Sequence, residues 1–167
     1  KGFKLIGYGL TGKRRSENSD QDQYGWQIFA DQWISLFPRH ILKLGLKSEA
    51  LFGGQLFTNE LYRIGGLKTL RGINEQTIYT SRYGIGTIEY RYMIGTYDYL
   101  TLFSDLAYVE NNAGEKFSST FLTGIGTGIN FQTRAGIFSL FFALGKNDQN
   151  PFDLRTSKIH FGYTNRF

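Results

Sequence analysis

One pattern limits what this chain can fold into: apolar side chains recur at every second position through long segments. Successive side chains of a strand point to opposite faces, so period two marks a strand with one apolar and one polar face rather than an amphipathic helix. Ile88, Tyr90, Tyr92 and Ile94 alternate with Glu89, Arg91 and Met93. Leu42, Leu44 and Leu46 oppose Lys43, Gly45, Lys47 and Glu49. Ile125, Ile129 and Phe131 oppose Gly124, Gly126, Gly128 and Asn130. At the end of the chain, Ile159, Phe161, Tyr163 and Phe167 oppose Lys158, His160, Gly162, Thr164 and Arg166. Eight such segments are predicted, over about 2–12, 23–37, 40–51, 81–95, 99–109, 118–133, 136–145 and 157–167. They exceed the usual strand of about 5–6 residues. Tilted strands that cross a bilayer need that extra length.

The connections alternate in length. Residues 13–22 form a long polar stretch, Pro38 and Arg39 a tight turn, and 52–80 a very long connection. Then come a tight turn at 96–98, a medium polar link at 110–117, a tight turn at Arg134 and Ala135, and a long link at 146–156. Long links on one side and short turns on the other are the sidedness of an outer-membrane barrel. A soluble antiparallel barrel has no reason to sort its loops. The expected fold is therefore all-β, an antiparallel up-and-down transmembrane β-barrel with its apolar stripe toward lipid. The aromatic residues fit two interfacial girdles. Tyr24, Trp26, Tyr83 and Tyr108 stand near long links, and Phe37, Tyr97, Phe131 and Phe167 near short turns. A soluble ligand-binding barrel would turn the same stripe inward.

Composition removes most chemistry. The chain has no Cys and only 2 His, far apart, so thiolate catalysis and a metal centre built on Cys or His are not expected. A net charge of +5 points toward nucleic acid only if the basic residues cluster, and they do so only at Lys13-Arg14-Arg15, which reads as a solvated loop. Gly84 with Gly86, and Gly124 with Gly126 and Gly128, lie in strand patterns without a following helix, so they are not a nucleotide fingerprint. No catalytic residues, no cofactor and no nucleic-acid partner are expected.

The stretch 52–80 is the unusual one. It has no clear strand pattern, yet it contains Leu61, Tyr62, Ile64, Leu67, Leu70 and Ile73, interrupted by Gly65, Gly66 and Gly72. A loop with core-type residues is expected to fold against the barrel interior. The run from Arg63 to Ile73 reads Arg-Ile-Gly-Gly-Leu-Lys-Thr-Leu-Arg-Gly-Ile. It resembles the Gly-Gly…Arg-Gly-aromatic motif in the sixth external loop of BamA-type outer-membrane assembly barrels. That family is the bacterial surface antigen superfamily, with the TamA-type and two-partner-secretion barrels. Phe103-Ser104-Asp105-Leu106-Ala107 looks like its Phe-x-Asp-x-Gly strand, and Gly124 to Asn130 with Thr133 to Gly136 like its Gly-rich penultimate hairpin. The terminal Phe161, Tyr163 and Phe167 resemble the C-terminal β-signal. The chain departs from the pattern at Ile73, Ala107, Phe141 and Asn165.

The residues also speak for themselves. A hairpin centred on Thr96 and Tyr97 sets Glu89 opposite or nearly opposite Asp105, both on the polar face. Two like charges so placed repel. A guanidinium between them relieves that with charge-assisted bonds, and Arg71, on a loop long enough to fold inward, is the candidate. Gly72 lets the backbone turn beside it, while Gly124 and Gly126 leave room on the next strand. The resemblance to the family's loop motif adds Leu70 and Ile73 to the loop lock. The other arrangement leaves Arg71 in solvent and pairs Glu89 with Arg91 or Lys47.

The resemblance implies more. Five strands follow the signature loop and three precede it, so the chain matches strands nine to sixteen of a sixteen-stranded barrel. The N-terminal half and the periplasmic POTRA domains then lie outside this sequence. Such a barrel in the Gram-negative outer membrane inserts or translocates client outer-membrane proteins by templating strands at a lateral seam, beside lipid and accessory assembly lipoproteins. The alternatives are a small eight-stranded outer-membrane barrel with a structural or adhesive role, and the soluble ligand-binding barrel. An isolated half is expected to close on itself, pair with a second copy, or occur beside its missing half, because open edges expose backbone donors and acceptors.

Overall fold

The computed structural model describes residues 1–16, 19–113, 117–147 and 151–165, without the side chains of residues 16 and 19. Its strands are β1 (Gly2–Ser16), β2 (Ser19–Phe37), β3 (His40–Phe52), β4 (Tyr62–Ile64), β5 (Ile78–Thr80), β6 (Arg82–Met93), β7 (Tyr99–Asn111), β8 (Ser118–Thr133), β9 (Gly136–Lys146) and β10 (Lys158–Thr164). Eight of them form one antiparallel sheet in the order β1-β2-β3-β6-β7-β8-β9-β10, and β4 pairs with β5 alone. The sheet is a meander interrupted once, by the long connection between β3 and β6.

Register carries the alternation from strand to strand. Tyr92, Leu100, Ile129, Leu140 and Phe161 form one unbroken cross-sheet row from β6 to β10. Ile88, Leu102, Leu106, Phe121, Ile159 and Phe161 are all more than half exposed on that outer face. The opposite face holds Glu89, Thr101, Phe103, Asp105, Ala107, Leu122, Phe141, Ala143 and His160, all buried. What buries them is the long connection. Ile64 and Leu70, 1% and 0% exposed, pack on Tyr83, Ile85, Ala107, Val109 and Leu122. Burying each of those two side chains contributes about 1.5–3 kcal/mol.

The connection touches strands far apart in the sheet. Leu67 lies against Gly162 of β10. Its neighbours Lys68 and Thr69 line a cavity of about 250 Å³ with Phe29 and Asp31 of β2. In a flat sheet β2 and β10 would lie about 29 Å apart, at about 4.8 Å per strand step. Adjacent residues thus lie against β10 and face β2 across one cavity, so the sheet curls around the connection.

Four expectations are corrected here. The sheet is open: β1 and β10 pair only with β2 and β9, so the eight strands do not close on themselves. Eight strands closed into a barrel leave room for little beyond their own side chains, and this interior already holds a folded connection. Second, that connection is not devoid of strand, since Tyr62, Arg63 and Ile64 pair with Thr80, Tyr79 and Ile78. Third, 13–22 is mostly strand, with Lys13 opposite Asp22, Arg14 opposite Gln21 and Arg15 opposite Asp20. Complementary side chains across the ladder hold polar residues in a strand, and the sorting of long and short loops therefore fails at its first member. Fourth, Tyr83 is not an interfacial residue. It is 4% exposed on the inner face and meets Tyr62 edge-on, with ring centroids 6.0 Å apart.

Candidate functional site

The site is built on two neighbouring rows of the inner face. One row runs Gly45, Thr87, Asp105, Gly124, Gly145 across β3, β6, β7, β8 and β9. The next runs Lys43, Glu89, Phe103, Gly126, Ala143 and ends at Lys158 of β10. Glu89 is thus opposite Phe103, and Asp105 is opposite Thr87. The two carboxylates are diagonal neighbours, one residue off the register that a turn centred on Thr96 and Tyr97 predicts.

Arg71 lies over this pair. Its Nε donates to Asp105 Oδ2 at 2.8 Å and its Nη2 to Asp105 Oδ1 at 2.7 Å, a two-pronged grip. Nη1 donates to Glu89 Oε2 at 2.8 Å, and the Arg71 backbone N–H reaches Asp105 Oδ2 at 3.2 Å. Arg91 Nε takes the other oxygen of Glu89 at 2.7 Å, and Thr87 Oγ1 donates to Asp105 Oδ1 at 2.8 Å. Two carboxylates therefore meet two guanidiniums, and the buried charge balances. An unbalanced charge at this depth would cost several kcal/mol. The Phe103 ring lies 3.5 Å from the Arg71 guanidinium carbon, closing its remaining face. Glu89 bonds Arg71 and Arg91 at once, whereas Lys47 pairs with Glu49 at 3.7 Å.

The glycines explain how the loop comes so close. A Cβ on Gly124 would fall on the carbonyl oxygen of Arg71. Gly72 has φ +88°, a left-handed backbone that favours glycine, and a Cβ on it would run into Leu144 and Gly145. The row Asp105, Gly124, Gly145 is thus a charged anchor followed by a trough in which the Arg71-Gly72 backbone lies. Gly126 does a different job: a Cβ there would strike Phe103 and the β9 backbone rather than the loop. Leu70 is fully buried, and Ile73 packs against the same cluster. Among the β-signal residues, Phe161 and Tyr163 point outward, 65% and 48% exposed. Phe167 lies outside the described residues.

Two contacts were not anticipated from sequence. The Gly72 N–H donates to His160 Nε2 at 3.0 Å, which ties the loop to the edge strand β10 and places the imidazole proton on Nδ1. The alternation put His160 inside but gave it no partner. The second is a clamp at the loop's entrance. Arg14 Nη1 donates to Glu60 Oε2 at 2.9 Å and to the Gln55 carbonyl at 2.8 Å, and Nη2 donates to Gln21 Oε1. Glu60 also accepts from Gln23 Nε2 and the Phe57 N–H, both at 2.8 Å, and Arg14 lies 4.5 Å from the Phe57 ring centre. Burial raises the Glu60 pKa, but bonds from the Phe57 N–H and Gln23 and the Arg14 charge outweigh it, so the carboxyl sits below its ordinary range. The basic triplet that read as a solvated loop thus supplies the clamp's cation.

Chemically, the arrangement fixes a loop to a sheet. Among the described residues no three His, Cys, Asp or Glu gather as a metal centre would require. No family model matches the chain, and no curated protein matches it either.

Proposed function

We propose that this chain is the C-terminal half of a sixteen-stranded outer-membrane assembly barrel. In this reading it inserts or translocates other outer-membrane proteins by offering β10 as one side of a lateral seam. One observation carries the reading: Leu70-Arg71-Gly72-Ile73 is seated on Asp105, Glu89 and the glycine trough at the residues where the family pattern puts its loop motif. Two further observations support it. The outer face is apolar over β6 to β10. The sheet curls around the loop but stays open, as half of a larger barrel would. An autonomous eight-stranded barrel, like a soluble ligand barrel, needs β1 to pair with β10. A strand edge in lipid must find a partner for every backbone group, and an incoming strand meets that need by β-addition. No bond-making chemistry is required, so the chain acts as a template rather than an enzyme.

The test uses the absence of Cys. Ile159→Cys places a thiol on β10, and Leu102→Cys places one on the outer face in mid-sheet. A synthetic strand of alternating apolar and polar residues, ending in Phe, is presented in detergent with a Cys at each position in turn. Templating gives disulfides to Ile159→Cys that rise and fall with period two along the peptide, and none to Leu102→Cys. Equal, position-independent cross-linking at both sites would overturn the proposal.

A further inference from the structure

The long connection meets the edge strand β10 at two points. Leu67 lies against Gly162, and the Gly72 N–H donates to His160 Nε2 at 3.0 Å. The second contact joins the two parts on which the proposed function rests: Gly72 follows Arg71 in the loop lock, and β10 is the strand offered at the seam. β10 is short, Lys158–Thr164, and among the described residues it pairs with β9 alone. A strand bound along one edge opens more readily than one bound along both, so a tie from the interior matters to it.

The tie depends on protonation. A neutral imidazole accepts at one nitrogen, whereas both nitrogens of the imidazolium are donors. A proton on Nε2 therefore leaves the Gly72 N–H facing another donor and ends the bond. The buried seat holds a charged ring poorly. His160 is 9% exposed. β9 sets Ala143, Phe141 and Ser139 opposite Lys158, His160 and Gly162, and brings no charge. The charges that act on the ring are Glu75 and Arg71 of the connection, Lys158 of its own strand and Asp105 of β7. Arg71 and Lys158 repel a further cation. Asp105 is already gripped by Arg71 and Thr87, and Glu75 Oε2 accepts from the Leu67 N–H at 3.1 Å. A protonated His160 is thus better solvated outside its seat. A cavity of about 240 Å³, lined in part by Gly72, Asn74, Thr77 and Lys158, brings solvent to the border of the bond.

We propose that His160 is a proton-operated catch between the loop lock and the seam. The neutral ring holds β10 against the loop, and the protonated ring releases it and opens the edge to an incoming strand. The bond and the proton exclude each other, so acid favours release. A released imidazole in water takes its proton at about pH 6.5, and release sets in below that. The bonds of Arg71 to Asp105 and Glu89 do not involve the ring, so the loop keeps its seat while the edge strand moves. The proposal rests on the seam reading of β10, and His160 acts in it as a positioning residue.

The experiment uses the whole chain in maltoside micelles at about pH 7.5 and about pH 5.5, on either side of the ordinary imidazole value. Amide hydrogen exchange gives protection factors, each relative to the intrinsic rate at the same pH. In acid, wild type should lose about tenfold protection at Gly72 and along β10, the size expected for one lost hydrogen bond. The Arg71 amide, held by Asp105, should keep its protection. His160→Gln offers an acceptor that does not titrate and should stay protected at both pH values. His160→Phe offers none and should be low at both, with retained protection in β7 showing that it folds. His40→Gln, at the other of the 2 His, should behave as wild type. The synthetic strand that tests the seam, now carrying a fluorophore insensitive to pH, is titrated by anisotropy. It should bind wild type about tenfold tighter in acid, and His160→Gln equally at both pH values. Gly72 protection that ignores pH, or that falls in His160→Gln as in wild type, overturns the catch. Lost protection without a change in strand binding overturns its role at the seam. A strand that binds at neither pH sinks the seam reading itself, and the catch with it.

Discussion

Arg71→Ala removes the group on which the loop's attachment turns, and its cost follows from the contacts. Three guanidinium bonds disappear, two to Asp105 and one to Glu89, together with the stacking on Phe103. The partners are not left bare: Asp105 keeps Thr87 Oγ1 and the residue-71 backbone N–H, and Glu89 keeps Arg91. Removing one partner of a buried pair costs about 3–5 kcal/mol. The surviving bonds hold the ionic loss toward the lower end, and a desolvated cation–π contact adds up to about 2 kcal/mol. At about 1.4 kcal/mol per factor of ten, a total of 3–5 kcal/mol raises the detached loop population roughly 100- to 3000-fold. Trypsin reads that population at Lys68, an exposed residue on a pinned backbone, provided that detachment and reattachment are fast relative to cleavage. The Lys68 cut, followed by mass, should speed up by at least about 100-fold. Arg71→Lys should recover little of this, because an ammonium does not reproduce the two-pronged grip on Asp105. Unchanged cleavage at Lys68 in Arg71→Ala, or wild-type behaviour in Arg71→Lys, would refute the reasoning.

Three other outcomes are expected. Gly124→Ala should free the loop to proteolysis almost as Arg71→Ala does, because its Cβ falls on the Arg71 carbonyl, while Gly84→Ala, with open space around it, should not; equal behaviour of the two would discredit the trough. The entrance clamp should weaken in acid. The Glu60 pKa is lowered in the folded state, so its contribution is present above the unfolded-state value of about 4.3 and lost as pH falls through the folded one; the protection factor of the Phe57 amide, its exchange rate relative to the intrinsic rate at the same pH, should fall there, and Glu60→Gln should abolish that fall. Finally, a small fluorophore attached to single cysteines at Leu102 and Ile88, 60% and 58% exposed, should be quenched by brominated lipid in bilayers, while one attached under denaturing conditions at Thr101, 2% exposed, should not; uniform quenching would count against a lipid-facing apolar side.

Alternation is a local property, and so what it implies could be read from the chain alone. Period two placed Glu89, Asp105, Gly124, Gly126 and His160 on one face and Ile88, Leu102, Ile129 and Phe161 on the other, and the registers keep them there. The loop's apolar residues and glycines likewise marked it as packed rather than solvated. The exact partner was less legible: Asp105, expected opposite or nearly opposite Glu89, lies diagonal to it, because the β6–β7 register sets Phe103, two residues earlier, across from Glu89. Only the tertiary structure paired Arg14 with Glu60, which are 46 residues apart, because no local pattern says which polar strand end a distant loop will meet. Tyr83 shares the parity of Glu89, so its inward side was already implied by the alternation, and only its neighbourhood suggested an interfacial girdle. The tertiary structure also left β1 and β10 apart. Whether a sheet closes depends on how much volume its interior must hold, and here that volume is set by a loop whose seat is formed by strands on either side of it in the sequence.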